Sequence, residues 1–283
     1  MYDRAQRETL VTESSGTSGS DQWSGIDTSV AHTARVWNYW LGGKDNFPVD
    51  REVGEQILTL MPDIVDTARH DRGFLGRAVR YLVGEVGIRQ FLDIGTGLPT
   101  ANNTHEVAQA VAPQCRIVYV DNDPLVLVHA RALLTSTPEG ATDYIEADVR
   151  DTDTILREAA RTLDLTQPTA LMLLGIVNFI VDDDEAYAIV NQLLDALPSG
   201  SYLVLSHPTT EVDRAAALEV MRLWNESATP PIKFRSRQEL IRLFDRLELL
   251  EPGVVSCCRR RPDPSRFGLL ADDQGFGGVG RKP

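Results

Sequence analysis

The sequence predicts an α/β fold in which a doubly wound, mostly parallel sheet follows a cap of helices. Three observations support this prediction. Apolar strand-like runs alternate with helical stretches over residues 88–207, a glycine-rich turn follows the first of these runs, and residues 27–85 have only helical periodicity. Such alternation of strands and helices is typical of parallel sheets with right-handed crossovers.

The first part of the chain contains a polar segment and then the predicted cap. Residues 1–24 are mostly small and polar and have no periodic apolar face, so we predict that they are disordered. Residues 25–87 carry apolar side chains at helical spacing, which predicts a helical cap. Three amphipathic sets make up this pattern: Val36, Trp37, Trp40 and Leu41; Val53, Ile57, Leu58 and Met61; and Phe74, Leu75, Val79 and Leu82.

The remainder, residues 88–283, is predicted to form the sheet domain. Helices are expected between its strands and over residues 212–226, and Ser236 and Glu239 stand at the spacing of a capping box that opens a helix to about Leu247. Five apolar runs predict strands near residues 89–94, 116–121, 142–147, 169–176 and 201–206.

A glycine-rich turn at the end of the first strand predicts a nucleoside site. Asp93, Gly95 and Gly97 form an Asp-x-Gly-x-Gly motif, with Thr96 between the glycines. Glycines let the backbone approach a ligand, and a carboxylate at a strand end accepts hydrogen bonds from it. A dinucleotide fingerprint places a small residue where this chain has Thr100. The turn therefore favours a nucleoside without a pyrophosphate.

Acidic residues also end the next two predicted strands. Asp121 stands where a ribose is held, beside Asn122, although a capping or turn carboxylate is the alternative for Asp121. Asp123 before a proline is typical of a helix N-cap. Asp148, beside Val149, would face the exocyclic amine of adenine. For Asp151, a role as a helix cap is as good an explanation as a role in the site.

Composition narrows the range of functions. The net charge of −13 and the lack of a basic stripe argue against a nucleic-acid partner. No apolar run approaches about 18 residues, so no membrane span is expected. No signal peptide stands at the start, and three cysteines, two of them adjacent, make no disulfide framework, so we expect a cytoplasmic protein. No cluster has metal-ligand spacing, and no metal is expected.

Four stretches resemble a bacterial S-adenosyl methyltransferase family of the class I S-adenosylmethionine-dependent methyltransferases. They are residues 35–47, 93–100, 119–124 and 277–283. The resemblance covers residues 25–283. It implies a Rossmann-like, seven-stranded class I methyltransferase fold, with S-adenosyl-L-methionine as cofactor and S-adenosyl-L-homocysteine as product. It also implies that two last strands, near residues 249–259 and 276–282, form a hairpin-like edge.

Residues 35–50 lead to a hypothesis about the cap. Gly42 and Gly43 suit a helix C-cap, but this does not explain the polar residues beside them. We expect this loop to fold over the cofactor. Three of its residues would contact the methionine part, namely Asn38, Gly43 and Lys44, and three would shield the methyl sulfonium, namely Trp37, Tyr39 and Phe47. Ordinary helix packing by the aromatic residues is the alternative.

The acceptor is expected to approach from the ends of the fourth and fifth strands. Gly175, Asn178, Phe179 and His207 lie there, and Gly175 is also expected to contact the cofactor. His207 is the candidate general base by residue type and place, although a single histidine is more often structural. His105, at the start of the helix after the glycine turn, would orient that loop or line the pocket.

Two positions depart from the family pattern. Family members commonly carry Asp where Asn102 stands and His where Asn178 stands. The loss of a histidine at position 178 removes a possible acid or base. Either the acceptor needs none, or His207 or a water supplies it, or this chain has a different acceptor.

Three functional readings follow. The first is a methyltransferase acting on an unidentified, small-molecule acceptor. The second is a non-catalytic or regulatory protein that binds S-adenosylmethionine or S-adenosylhomocysteine. The third, a nicotinamide dehydrogenase, lacks the third glycine and a catalytic His/Asp or Tyr/Lys set.

Overall fold

The computed structural model describes residues 27–133, 135–262 and 271–283. The segment predicted to be disordered, residues 1–24, lies outside these ranges. Among the described residues, no helix is both long and apolar enough to cross a bilayer.

The central sheet confirms the predicted doubly wound, mostly parallel architecture. Its strands are β2 (Gln90–Ile94), β3 (Arg116–Asp121), β4 (Ala141–Glu146), β5 (Ala170–Leu174), β6 (Tyr202–Pro208), β8 (Glu248–Leu249), β9 (Val255–Ser256) and β10 (Gly275–Arg281). The spatial order is β4-β3-β2-β5-β6-β10-β8. Strands β2 to β6 are parallel and β10 runs antiparallel to β6. The order reverses between β2 and β5, which is where such sheets bind ligands.

The last strands differ from the expected hairpin-like edge. Seven strands follow the main path, and β9 pairs with β10 outside it. Residues 249–259 form β8, β9 and a 3₁₀ turn, Cys257–Arg259, instead of one strand. Gly253, with a φ of +84°, interrupts the run, because a left-handed residue cannot continue a strand. Strand β10 lies between β6 and β8, so it is internal.

Nine helices occur in the described ranges. They are α1 (Thr33–Trp40), α2 (Pro48–Leu60), α3 (Ile64–Tyr81), α4 (Thr104–Val111), α5 (Pro124–Leu133), α6 (Thr152–Ala159), α7 (Asp183–Asp195), α8 (Arg214–Ser227) and α9 (Arg237–Arg242). The Ser236 capping box opens α9 as predicted, but the helix ends at Arg242, short of the expected Leu247. Asp151 caps α6 by accepting from the Thr154 N–H, and Asp123 accepts from the Leu125 N–H of α5.

The cap is built from two separate stretches of the chain. Helices α1 and α2 and the start of α3 pack against α8 and the segment that follows it. The shared core consists of Ala31, Val36, Trp40, Val53, Ile57, Met61, Ile64, Ala68, Ala217, Val220, Trp224, Ile232 and Phe234. The division at residue 87 stays a prediction, since cap and sheet domain share both α3 and this core.

A pair of short strands joins the two stretches. Strand β1 (Ala31–His32) runs parallel to β7 (Ala228–Thr229), and we call this pair the clasp. It links the start of the cap to the connection between β6 and α9. The clasp lies outside the central sheet.

Helix α3 connects the cap to the sheet. Its second half buries Phe74, Leu75, Ala78 and Val79 against the strands. This helix lies close to strand β10 at Gly277, where a Cβ would stand 2.8 Å from Cε1 of Phe74. Any larger residue there would push the helix from the sheet.

A buried ion pair holds the entry of the cap. Nε of Arg35 lies 3.2 Å from Oδ1 of Asp50, and the two side chains are 3% and 0% exposed. Asp50 also accepts the backbone N–H groups of His32 and Phe47, at 3.0 and 2.8 Å. One carboxylate thus fixes the start of α2, the clasp and α1.

We expect Asp50→Ala to lower the free energy of unfolding by about 3–5 kcal/mol, because it leaves the buried Arg35 guanidinium uncompensated. Urea unfolding monitored by circular dichroism measures this change. Glu52→Ala, at an exposed position on the same helix, is the control and should stay within about 0.5 kcal/mol of wild type. Equal stability of the two variants would contradict the role given to Asp50.

Candidate functional site

A cavity of about 230 Å³ opens at the carboxyl ends of the parallel strands, beneath the cap. It lies at the point where the strand order reverses. Fourteen of the residues singled out from the sequence line it: Trp37, Asn38, Asp93, Gly95, Thr96, Gly97, Asp121, Asn122, Asp148, Val149, Gly175, Asn178, Phe179 and His207. The fold therefore brings most of the predicted site into one space.

The glycine turn takes its shape from two positive φ angles, +76° at Gly95 and +63° at Gly97. The Gly95 N–H donates to the carbonyl of Val120 at 2.8 Å. A Cβ on Gly95 would stand 2.7 Å from Ile176, so the turn packs directly against the end of β5. Helix α4 begins only at Thr104, which leaves a longer loop than a pyrophosphate-binding turn has.

The turn leaves room for a ligand on its open side. No atom lies within 4 Å of where a Cβ would stand on Gly97 or on Gly175, and both residues line the cavity. Gly175, with a φ of +63°, directly follows β5. It lies opposite the turn, at the point where the strand order reverses between β2 and β5. Bare backbone on both sides of the cavity fits a nucleoside cofactor.

Asp121 lies at the end of β3, between the turn and the cap. Its carboxylate accepts the N–H of Gly97 at 2.8 Å and that of Asp123 at 3.0 Å. Burial raises the pKa of Asp121, and these two hydrogen bonds offset part of the rise. The carboxylate therefore fixes the glycine turn, and it keeps lone pairs for the hydroxyls of a ribose.

His32 of the clasp lies next to Asp123, which follows Asp121 by two residues. Its Nδ1 lies 2.9 Å from Oδ2 of Asp123, and His32 lines the cavity. Burial favours the neutral form of Asp123, but its contact with His32, the Leu125 N–H and the Arg35 charge together lower the pKa of Asp123. Sequence analysis missed His32 because no motif contains it.

Asp93, the acid of the glycine motif, has a strongly raised pKa. It is 5% exposed, and burial raises its pKa from 3.8 to about 6, although the Thr104 hydroxyl donates to it at 2.5 Å. The charges of Asp121 and Asp71 add to the rise. Three carboxylates around one cavity give it a negative potential that attracts cationic groups.

Asp148 is more exposed than the other two strand-end acids. Its side chain is 43% exposed, and it accepts from the backbone N–H of Arg150 at 2.8 Å. Nδ2 of Asn122 lies 3.4 Å from its second oxygen. Both residues line the cavity, so they mark its outer end next to β4.

The cap loop contributes fewer residues than predicted. Asn38 and Trp37 line the cavity, whereas Gly43, Lys44, Tyr39 and Phe47 do not. The Asn38 amide oxygen accepts from the Asp45 N–H and from Asn46, which folds the loop back on α1. The Tyr39 hydroxyl donates to Glu55 and Phe47 stacks under the Arg35 guanidinium, so both serve packing within the cap.

His207 reaches the cavity wall, but both of its ring nitrogens are occupied. Nδ1 donates to the Pro208 carbonyl at 2.7 Å, and Nε2 accepts from Arg235 at 2.9 Å. Burial and the neighbouring guanidinium lower the pKa of His207 to about 3. An imidazole without a free lone pair cannot take a proton from an acceptor, so the geometry gives His207 a structural role and not that of the expected base.

Arg235 organises the loops around His207. Its side chain is fully buried and donates to the carbonyls of Val177 and Ile180, at 3.1 and 2.7 Å. It also pairs with Asp183 at the start of α7, at 3.0 Å. One guanidinium thus joins the ends of β5 and β6 to α7.

His105 lies beside the cavity rather than in its wall. Its backbone N–H and its Nδ1 both lie 2.8 Å from the Tyr119 hydroxyl, and burial lowers its pKa. These contacts hold the start of α4 against β3. Of the two expected roles, orienting the loop fits this position.

Several polar residues of the cavity were missed from the sequence. Asp71 and Thr67 on α3 and Gln274 before β10 line it. Three buried oxygen atoms of this region have no hydrogen-bond partner among the described residues: Oγ1 of Thr67, Oδ1 of Asn178 and Oε1 of Gln274. A signal was present for Asp71, since an acid at helical spacing between Ala68 and Leu75 interrupts an apolar stripe.

Three potential metal ligands meet at one place, although their spacing in the sequence does not suggest a site. Atoms of His70, Cys258 and Asp273 lie within 4.8 Å of one another. Nδ1 of His70 hydrogen-bonds Oδ2 of Asp273 at 2.5 Å, and Oδ1 accepts the Gly275 N–H at 2.9 Å. These hydrogen bonds account for the group, which ties α3 to the start of β10.

Comparison with known proteins agrees with this geometry. The family model described as S-adenosyl methyltransferase matches residues 20–283, which confirms the resemblance found in the motifs. A DUF574 family protein from Streptomyces avermitilis is 45% identical, with 91% of this chain and 99% of that chain covered and a TM-score of 0.86. A candidate methyltransferase from Thermobifida fusca is 41% identical, with 91% and 97% covered and a TM-score of 0.84. The comparison with curated proteins gives no match.

The raised pKa of Asp93 predicts a pH-dependent loss of stability. An acid whose folded pKa exceeds its unfolded value stabilises the fold below the unfolded pKa, and this contribution is lost as pH rises from 3.8 through about 6. We expect Asp93→Asn, which keeps an acceptor for Thr104, to be about 3 kcal/mol more stable than wild type near about pH 7.5. Near about pH 4 the difference should vanish. Urea unfolding at both pH values tests this, and equal stability at the higher pH would refute it.

The hydrogen bonds of His207 predict that it stays neutral in mildly acidic solution. The chemical shifts of its ring carbon protons should not change between about pH 7.5 and about pH 4.5. NMR spectra of the wild type, with the His207→Gln spectrum to assign the signal, measure this. A titration midpoint near about pH 6.5 would show an imidazole free to act as a base.

Proposed function

The chain belongs to the S-adenosyl methyltransferase family, and from this premise we propose that it transfers a methyl group to a small molecule bound beneath the cap. The main support for the proposal is the cavity, because this single cavity extends from the glycine turn to an apolar space under the cap. S-adenosyl-L-methionine is the cofactor of the family and S-adenosyl-L-homocysteine its product.

The residues of the cavity have distinct proposed roles toward the cofactor. Gly95, Thr96 and Gly97 supply backbone for close approach, and Asp121 accepts the ribose hydroxyls. Asp148 and Asn122, with Val149, hold the adenine at the outer end. Asp93 and Gly175 contact the methionine part of the cofactor from the ends of β2 and β5, between which the strand order reverses. Asn38 contacts the same part from the cap. The lining of one cavity by all ten supports this assignment.

The cap residues exclude water and position the acceptor. When bound, S-adenosylmethionine supplies a methyl group on a good leaving group, so the protein mainly has to align the acceptor and keep the site dry. Trp37 and Phe179 form part of the apolar wall next to Asn178. Tyr39, Phe47, Gly43 and Lys44 act indirectly, by holding helix α1, which carries Asn38, and the loop that follows it.

A small molecule is the proposed acceptor class. The cavity is a concave, mostly apolar space with a few polar groups, which is typical of small-molecule sites, and the net charge of −13 disfavours a polyanionic nucleic acid. We propose neither a nucleic-acid nor a membrane partner, and we propose a cytoplasmic location.

The proposal is tested first by cofactor binding. Isothermal titration calorimetry should detect binding of S-adenosylmethionine and S-adenosylhomocysteine but not of NAD. Asp121→Ala should weaken both by at least about tenfold, because it removes the ribose acceptor and releases the Gly97 N–H. Glu146→Ala is the matched control: Glu146 is the register partner of Asp121 on β4 but lies outside the cavity lining.

Each outcome bears on the function. NAD binding, or no binding of either S-adenosyl compound, would overturn the proposal. Equal affinities of the Asp121 and Glu146 variants would remove Asp121 from the site. Binding without methyl loss in the presence of candidate acceptors would favour a non-catalytic binding protein, which the engaged nitrogens of His207 keep as the second candidate.

A further inference from the structure

The cavity contains a polar cluster that the cofactor assignment does not use. Asp71, Thr67, Asn178 and Gln274, which we call the polar floor, come from α3, from the 3₁₀ turn after β5 and from the residue before β10. All four line the cavity, and each is at most 9% exposed. They lie under the apolar wall formed by the cap.

The polar floor offers mainly acceptor oxygens, namely the Asp71 carboxylate and the amide oxygens of Asn178 and Gln274, together with the Thr67 hydroxyl, which can also donate. The oxygen atoms of Thr67, Asn178 and Gln274 have no partner in the described structure. Burial raises the pKa of Asp71, with the Ser206 hydroxyl and the Arg72 charge opposing the rise and Asp273 adding to it. Buried acceptors without donors are unfavourable unless a ligand or water supplies the hydrogen atoms. The floor therefore suits a ligand group with several N–H or O–H donors.

The charged groups around the floor favour a cation. Asp71 faces Asp273 and Asp93, and the thiol of Cys257 lies 4.0 Å from its Oδ1. Arg72 is the nearby cation, and its guanidinium donates to the Asn102 carbonyl at 3.1 Å. Arg235 is turned to Asp183 and His207. An ammonium group offers more donors than a hydroxyl and carries the matching charge.

The wall above the floor is apolar and aromatic. Trp37, Phe179, Trp224 and Phe234 line it, together with Ile57 and Met61. Such a wall accepts a ring or branched hydrocarbon and excludes water from it. A ligand that fills the space must therefore combine a hydrophobic body with one amino group at the floor.

We propose that the polar floor binds the amino group of the methyl acceptor, that the acceptor is a hydrophobic amine, and that Asp71 takes the proton this nitrogen must lose. This inference rests on the proposed function. The deprotonated nitrogen forms the new bond to the methyl carbon, and the bond from that carbon to sulfur breaks with its electron pair left on sulfur. The proton released from the nitrogen goes to the Asp71 carboxylate.

The test uses 2-phenylethylamine and 2-phenylethanol as probes, which differ only in the polar group. Both are titrated by calorimetry into the full chain saturated with S-adenosylhomocysteine. The wild type should bind the amine at least about tenfold more tightly than the alcohol. Asp71→Asn should abolish this preference while the affinity for S-adenosylhomocysteine is retained. Asp66→Asn is the control, because Asp66 lies on the same helix with its side chain 65% exposed.

A second variant keeps the test valid if Asp71→Asn does not fold. Thr67→Val removes an unpartnered hydroxyl without changing the side chain's shape, and it should weaken amine binding by about fivefold. Mass spectrometry of the amine after incubation with S-adenosylmethionine should detect one added methyl group with wild type, and far less of it with Asp71→Asn.

The outcomes separate the two proposals. Failure of the wild type to bind S-adenosylhomocysteine would overturn the proposed function. Normal binding of S-adenosylhomocysteine, with equal affinity for amine and alcohol, would overturn this inference alone. A parallel loss of amine and S-adenosylhomocysteine binding in Asp71→Asn would assign the carboxylate to the cofactor and would also overturn the inference.

Discussion

The buried guanidinium of Arg235 is the constraint on which the cavity depends. An unpaired charge of this kind in the interior would be prohibitively unfavourable, so the surrounding loops must supply acceptors at fixed positions. They do so with the Val177 and Ile180 carbonyls, Nε2 of His207 and the carboxylate of Asp183. These contacts fix the ends of β5 and β6 and the turn that carries Asn178. The residue that looked most like a catalytic base is therefore part of the frame that shapes the site.

The sequence was sufficient to predict the parallel strands and the meeting of the strand-end residues in one cavity. Asp93, Gly95, Gly97, Asp121 and Asp148 lie next to strand ends, so the local pattern and one topological rule are enough to bring them together. Asp71 and Gln274 belong to segments far apart in the chain, and only the tertiary structure decides that they line the same cavity. The internal place of β10 was unpredictable for the same reason. A strand's neighbours depend on which long connection packs first, and periodicity carries no information about that.

The acids of the cavity illustrate a conflict between folding and binding. Burial disfavours the charged forms of Asp71, Asp93 and Asp121, and the hydrogen bonds within the protein compensate only in part. Residues kept in such positions despite their cost are typical of functional sites. The polar floor differs from the strand-end acids in one respect, because three of its oxygen atoms have no partner in the part of the chain that the structure describes. Asp93 has a hydrogen-bond partner inside the protein, the Thr104 hydroxyl. For the three oxygen atoms of the polar floor, we propose that a ligand is the partner.

The clasp has a consequence for the kinetics of the molecule. It joins β1 and β7 through only two residues on each side, yet His32 within it and Pro230 just beyond it both belong to the cavity wall. Short pairs with few backbone hydrogen bonds are the first parts of a structure to open. A transient separation of these four residues would part the wall without disturbing the central sheet. Exchange of the clasp amide hydrogens with solvent therefore measures how often the cavity wall opens. This exchange would slow when a ligand bridges the cap and the strand ends.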